Sequence, residues 1–176
     1  MELTLVYRGQ LPANGSLKEK QAIRRAFHIQ LKELWKEAPF KPSSESFYKQ
    51  IGPFNFVPLI CKARDEIAEL QITMLRSGPA GAIITQSGDI DNRLKTLFDS
   101  LRLPKEDNDL PTGDVPTEEE NPFFCLLEDD NLITRLSVST DRLLEPCNEK
   151  SYVSLLIHVI GKKIEPRWGH MIITLG

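Results

Sequence analysis

Two long segments of the chain carry apolar residues at helical spacing, and segments with strand-like patterns flank both of them. The first helix is predicted to begin after Ser16, which forms a capping-box pattern with Glu19, and to end near Glu37. The second helix is predicted over 92–101. The order of the elements predicts an α/β (α+β) fold, a single domain with one mixed β-sheet and two main helices. Strands are predicted at 2–8, 68–76, 123–127, 132–138 and 151–160, with 123–127 and 132–138 paired as a hairpin.

The length and composition agree with one soluble domain that spans residues 1–176. No apolar run approaches the roughly 20 residues that a membrane span needs. The N-terminus lacks the basic and then apolar order of a signal peptide. The three cysteines, Cys61, Cys125 and Cys147, are widely spaced, as is typical of proteins from a reducing compartment. We therefore expect a cytoplasmic protein that does not associate with membranes.

The net charge of −3 is unevenly distributed along the chain. Segment 105–120 has seven acidic residues and one lysine, a local charge of −6, so the rest of the chain carries +3. We expect this segment to form most of a mobile acidic loop at about 103–121, because it has little apolar surface to bury. A second insertion, at about 39–60, is rich in proline. The mildly basic remainder is compatible with a nucleic-acid partner.

The stretch 88–99 holds the residues with the clearest chemical potential. Asp89 and Asp91 can point the same way in an extended entry segment, and Asp91, Lys95 and Asp99 recur at four-residue steps on one helix face. Carboxylate oxygens are the ligands that Mg²⁺ prefers, and two of them leave positions for water and a phosphate. A nearby lysine can neutralise charge that develops on a phosphodiester. This spacing is typical of a metal-dependent phosphodiester site.

Structural interpretations of the same residues remain open. Asp91 can serve as a helix N-cap, and Lys95 with Asp99 can form an exposed ion pair of little energetic value. A second acidic group, at 128–130, is at home in a hairpin turn, but it can also supply a further metal-binding carboxylate from a neighbouring strand end. The basic stripe of Lys18, Arg25 and Lys32, with Lys36 four residues further, is interpreted first as a solvated helix face and second as a phosphate-contacting face.

Taken together and in this order, the two acidic groups resemble the RusA-type Holliday junction resolvases. The similarity covers roughly 1–10, 17–35, 68–102 and 124–160, and its element order is the one predicted above. The chain differs from the family at 85–88, which carries no charge where basic residues are usual. The matching residues are Asp89, Asp91, Asn92, Lys95 and Asp99, followed by Asp129 and Asp130 with Asn131, Leu132 and Ile133.

The resemblance implies a Mg²⁺-dependent endonuclease, with Mn²⁺ as an alternative ion, that acts as a homodimer on branched DNA in recombination or repair. It implies that Asp89, Asp91 and Asp130 bind the metal and that Lys95 is the catalytic lysine. Asn92 and Asp99 are expected to be structural. If two ions bind, they would lie about 4 Å apart.

Two rival functions fit the same sequence. A non-catalytic DNA-binding or regulatory relative would explain the uncharged stretch before Asp89 and an acidic loop that limits nucleic-acid access. A protein-interaction module would use the acidic loop to dock on a basic partner. For any DNA-binding function, the candidate contacts are Arg25, Lys32, Arg93, Lys162, Lys163 and Arg167.

Overall fold

The computed structural model describes residues 1–36, 48–77, 89–147, 149 and 151–164. It confirms a mixed α/β domain with two helices. No helix within these ranges is long and apolar enough to cross a membrane. The elements are β1 (Glu2–Gln10), α1 (Leu17–Lys36), β2 (Lys49–Ile51), β3 (Phe54–Ile60), β4 (Glu66–Arg76), α2 (Asp89–Leu101), β5 (Phe123–Leu127), β6 (Ile133–Arg142) and β7 (Tyr152–Lys163).

The larger sheet has the strand order β1-β7-β4-β6. Strand β7 lies inside the sheet and pairs antiparallel with both β1 and β4, whereas β6 pairs parallel with β4. This position explains the apolar sequence of β7, because one face of the strand packs against the core. The core side chains of β7 alternate along it: Val153, Leu155, Ile157 and Val159.

A second sheet, of order β2-β3-β5, replaces the predicted hairpin and the single sheet. Strand β5 pairs parallel with β3, and β6 belongs to the larger sheet, so β5 and β6 are not partners. All five residues of β5 are buried, which requires cover on both faces. A short 3₁₀ turn at Asp130–Leu132 carries the chain from one sheet to the other. The described part of the 39–60 insertion forms β2 and β3.

Helix α1 begins and packs as its sequence predicts. The backbone N–H of Ser16 donates to the Glu19 carboxylate at 2.7 Å, and the backbone N–H of Glu19 donates to the Ser16 hydroxyl at 3.3 Å. This reciprocal pair satisfies donors that the first helical turn leaves free. The predicted apolar stripe is the buried face of the helix, formed by Ile23, Phe27, Leu31 and Trp35.

The acidic segment has a defined path against α1 and β3, which corrects the expectation that it buries too little apolar surface to order itself. Leu103 and Leu110, which flank its first half, are buried in a cluster with Phe54, Phe56 and Phe123. Two leucines in an aromatic cluster stabilise the segment by several kcal/mol, at about 1.5–3 kcal/mol for each fully buried side chain. The segment is therefore part of the packed domain.

Ion pairs hold the far half of the segment on the predicted basic stripe. Arg25 donates to Glu120 at 2.7 Å and to Asp114 at 2.9 Å, and Lys32 pairs with Glu119. Burial raises the pKa of Glu120, but the hydrogen bond and charge of Arg25 outweigh that effect and hold the pKa below its usual range. Arg25 and Lys32 of the stripe are thus covered by acidic side chains of the same chain, whereas Lys18 is exposed.

His28 joins α1, β5 and the acidic segment as a neutral group. Its ring stacks on Phe124 with centroids 5.7 Å apart. Its Nδ1 accepts from the backbone N–H of Phe124 at 2.9 Å, so the ring proton is on Nε2, which lies 3.3 Å from the Glu119 carbonyl. Burial lowers the pKa of His28 below 6.5. Protonation of Nδ1 would also remove the acceptor of the Phe124 backbone N–H and place two N–H donors against each other.

We predict that His28 makes the folded state acid-sensitive. Because its pKa is lower in the folded than in the unfolded chain, the unfolded chain binds more protons, and the free energy of unfolding falls as pH drops below 6.5. Urea unfolding of the wild type should show the onset of this loss as the pH falls from 6.5 to about 5.5, above the range in which the carboxylates of the unfolded chain take up protons. The His28→Gln variant should lack it; an unchanged pH profile in that variant would contradict the assignment.

Candidate functional site

The N-terminal half of α2 is anchored to the loop between β1 and α1. The backbone N–H of Gly15 donates to the Thr96 hydroxyl at 2.9 Å. The Arg93 guanidinium donates to the Leu11 carbonyl and lies 3.5 Å from the Ser151 carbonyl. Arg93 is only 7% exposed, so its proposed role as a DNA contact is corrected to a structural one.

Asp91 and Lys95 occupy the opposite, solvent-facing side of α2. Both are exposed, and they are one helical turn apart. Neither side chain makes an ion pair or hydrogen bond with any other side chain or backbone group that the structure describes. Asp89 is the first residue of α2, and its side chain lies outside the described part of the chain. A carboxylate and an ammonium group therefore stand together in solvent without a structural task.

Asp99, the third residue at the four-residue spacing, has a structural task. Its carboxylate accepts from Lys20 at 2.7 Å and from Arg102 at 2.8 Å, and its backbone carbonyl accepts from Arg24 at 2.6 Å. Burial raises the pKa of Asp99, but the hydrogen bonds and charges of Lys20 and Arg102 outweigh burial and hold the pKa below its usual range. Asp99 therefore ties α2 to α1 and does not pair with Lys95.

Asp129 and Asp130 form a carboxyl pair at the 3₁₀ turn before β6. The Asp129 carboxylate accepts from the backbone N–H of Asn131 at 2.9 Å, and this hydrogen bond lowers the pKa of Asp129. Burial, and then a hydrogen bond shared with Asp129, raises the pKa of Asp130. The Arg102 Nε lies 3.9 Å from an Asp130 oxygen. The repulsion between two like charges on adjacent residues is relieved by a proton or by a cation.

The two acidic groups contact different parts of α2. Asp130 lies beside Arg102, just beyond the C-terminal end of the helix, whereas Asp91 is in the first turn. The ten residue steps from Asp91 to Leu101 correspond to about 15 Å along a helix axis. Across the described ranges, which leave out the Asp89 side chain, no three metal-ligating groups lie together. The described contacts therefore do not bring Asp91 and Asp130 to one ion.

The remaining DNA-contact candidates differ in their availability. Arg25 and Lys32 are paired with the acidic segment, and Lys162 pairs with Glu69. Lys163 is exposed at the end of β7. Arg167 lies outside the described residues. The basic surface that the sequence predicts is consequently in large part neutralised from within the chain.

Sequence reasoning missed the buried polar cluster of Lys20, Arg24 and Arg102 around Asp99. Arg24 is 3% exposed, and its guanidinium also donates to the Arg102 carbonyl at 3.2 Å. One signal was present in the sequence, because Lys20 and Arg24 are one turn apart on the apolar side of α1. Their partner, 75 or more residues further along, could not be inferred from that spacing.

No protein-family model matches the chain, and neither a curated protein nor a solved structure is significantly similar to it. The class that the fold and site define is accordingly a two-sheet α/β domain with a solvent-facing carboxylate and lysine on α2.

We predict that substitution of Asp99 lowers the free energy of unfolding, whereas substitution of Asp91 or Lys95 has little effect on it. Asp99→Asn should lower the free energy of unfolding by about 2 kcal/mol, because it removes a carboxylate that a partly buried lysine and a buried arginine bond. Asp91→Asn and Lys95→Ala should change it by no more than about 0.5 kcal/mol, as exposed substitutions usually do. Urea unfolding at pH 7 measures all three. A destabilised Asp91→Asn protein would show that Asp91 is structural instead.

Proposed function

We propose that this protein is a Mg²⁺-dependent endodeoxyribonuclease that cuts branched DNA such as a Holliday junction. It would act as a cytoplasmic homodimer in recombination or repair. The observation that carries the proposal is that the charged side chains of α2 differ in their surroundings. Asp99 is bonded into the fold, whereas Asp91 and Lys95 are exposed and make no hydrogen bond or ion pair with another described side chain.

The chemistry of these groups suits a phosphodiester. Asp91, with Asp89 beside it in sequence, offers the oxygen ligands that Mg²⁺ prefers, and Mn²⁺ accepts the same donors. A bound ion would supply Lewis-acid stabilisation of the charge that develops on the phosphate. Lys95, one turn further along the helix, would donate to a non-bridging phosphate oxygen and neutralise part of the same charge.

The Asp129–Asp130 pair has a separate role in the proposal. Its shared hydrogen bond and the raised pKa of Asp130 mark it as a group that gains from a nearby cation. The resemblance makes Asp130 a metal ligand, and we retain that assignment as part of the proposal. Since Asp130 contacts Arg102 at the other end of α2, its ligation would require the turn that holds Asp130 to shift toward the first turn of the helix.

We predict Mg²⁺-dependent, symmetric nicking of a labelled four-way junction, with little cutting of the matching linear duplex and none in EDTA. Asp91→Asn and Asp130→Asn should abolish cleavage but still bind the junction. Lys95→Ala should slow cleavage by about 100-fold, in the range of a lost electrostatic group. Glu33→Gln, an exposed carboxylate on α1, is the matched control and should cut normally.

Direct Mn²⁺ binding, followed by electron paramagnetic resonance without DNA, gives a readout that does not depend on cleavage. Wild type and Lys95→Ala should bind the ion, and Asp91→Asn should bind it at least tenfold more weakly, because one carboxylate ligand is gone. Normal cleavage or normal ion binding by Asp91→Asn would refute the site.

The acidic segment favours a second candidate, a non-catalytic DNA-binding or regulatory relative. Asp114, Glu119 and Glu120 occupy Arg25 and Lys32, the two basic residues of α1 that a phosphate backbone would contact. In this function the protein binds DNA when the acidic segment releases α1. It does not cleave the DNA, whichever metal ion is present. Absence of cleavage together with the result described next would favour it.

We predict that neutralising the three contacting acids raises DNA affinity. The combined variant Asp114→Asn, Glu119→Gln and Glu120→Gln should expose two cations, and the log–log dependence of binding on salt should steepen by about 2. The control variant, Glu106→Gln, Asp107→Asn and Glu118→Gln, changes charge equally at exposed positions of the same segment and should leave the slope unchanged. Equal effects of both variants would show that only net charge matters.

A further inference from the structure

The two edge strands of the larger sheet, β1 and β6, differ in whether their free backbone groups are covered. At the β1 edge, the backbone N–H of Val6 donates to the Gln30 side-chain oxygen at 2.9 Å, and the Gln30 amide donates to the Val6 carbonyl at 2.7 Å. The side-chain amide of α1 thereby bonds to Val6 as a neighbouring strand would. Association of another strand at this edge is blocked in its middle.

The β6 edge has no such cover in the described part of the chain. Strand β6 is ten residues long, pairs only with β4, and has no buried residue. Leu136 is 43% exposed. Since the backbone N–H of Leu143 donates to Arg76 on β4, the alternate residues Thr140, Val138 and Leu136 turn their backbone groups toward the open side. A long uncovered edge of this kind is a template for strand addition.

We propose that β6 pairs with β6 of a second copy, antiparallel, with the two-fold axis at Val138. Four strands from each copy would then form one continuous sheet. The inference rests on the homodimer of the proposed function and gives it an interface, but it uses none of the residues proposed for cleavage.

The charges on β6 select this register. A symmetric antiparallel pair must place side chains of the same face opposite each other, so its axis passes through a residue. With the axis at Val138, Arg135 lies opposite Asp141 of the second copy, and symmetry repeats the pair. With the axis one residue earlier, Arg135 faces Ser139. One residue later, it faces Leu143. Only the Val138 register joins opposite charges.

The surrounding side chains agree with a second copy as the occupant. Arg135 and Asp141 are both exposed, and they stand at equal distances from Val138 in sequence, which is the symmetry that self-pairing requires. Leu136 would lie opposite Thr140 of the second copy and beside its Val138, which covers the exposed leucine. A partner with a different sequence would not need this symmetry.

A charge-swap series in the full-length chain tests the interface by sedimentation equilibrium at low salt. Arg135→Glu and Asp141→Arg should each raise the dimer dissociation constant by roughly tenfold or more, because two attractive pairs become repulsive. An equimolar mixture of the two variants should regain wild-type association, since each chain then offers the charge that the other needs. The double variant should also recover. Arg142→Glu, on the same strand but opposite Thr134, is the control and should dimerise like the wild type.

Several results would overturn the proposal: a wild-type chain that stays monomeric, single variants that dimerise normally, or a mixture that does not recover. Hydrogen exchange at the amides of Leu136, Val138 and Thr140 adds a test of the occupant. Protection should rise with protein concentration; protection independent of concentration would mean that another part of the same chain covers β6. A wild-type protein that dimerises through β6 but cuts no junction would refute the nuclease and leave the interface standing. The Asp91→Asn protein should dimerise like the wild type, because the interface uses none of the residues proposed for cleavage.

Discussion

The carboxylate of Asp99 is the interaction on which the arrangement of the helices depends. It is largely buried between α1 and α2 and is bonded by Lys20 and Arg102, while Arg24 bonds the backbone around it. Buried charges are expensive to desolvate, and this cost is offset only when nearly every donor has an acceptor. The cluster therefore favours the placement of α1 and α2 seen in the structure. In that placement Asp91 and Lys95 face solvent.

The uneven distribution of charge along the chain also has a structural consequence, because the acidic segment packs against the basic residues of α1. The acidic segment is anchored by Leu103 and Leu110, and its carboxylates then meet the basic stripe of α1. Apolar burial fixes where the segment lies, and the ion pairs, partly exposed, add specificity more than stability. The result is a domain in which Arg25 and Lys32 of the basic stripe are neutralised by acidic residues of the same chain.

Local patterns predicted much of the fold and only part of the candidate site. The helix start at Ser16, the apolar face of α1 and the central apolar strand depend on neighbouring residues, and all three are confirmed. The pairing of β5 with β6 was wrong because adjacency in sequence does not reveal that a strand is covered on both faces. Arg93 was misjudged for a related reason: a charged residue on a helix is buried or exposed according to what packs on it.

The sequence by itself determined the element types, the four-residue spacing that puts Asp91, Lys95 and Asp99 on one helix face, and the uneven charge. These properties follow from helix and strand periods, which act over a few residues. Only the tertiary structure decided which carboxylate serves the fold, where the Asp129–Asp130 pair lies, and which basic residues the acidic segment covers. Those outcomes depend on contacts between residues far apart in the sequence, from 28 positions for Arg102 and Asp130 to 95 for Arg25 and Glu120, where burial and charge pairing replace local spacing as the controlling forces.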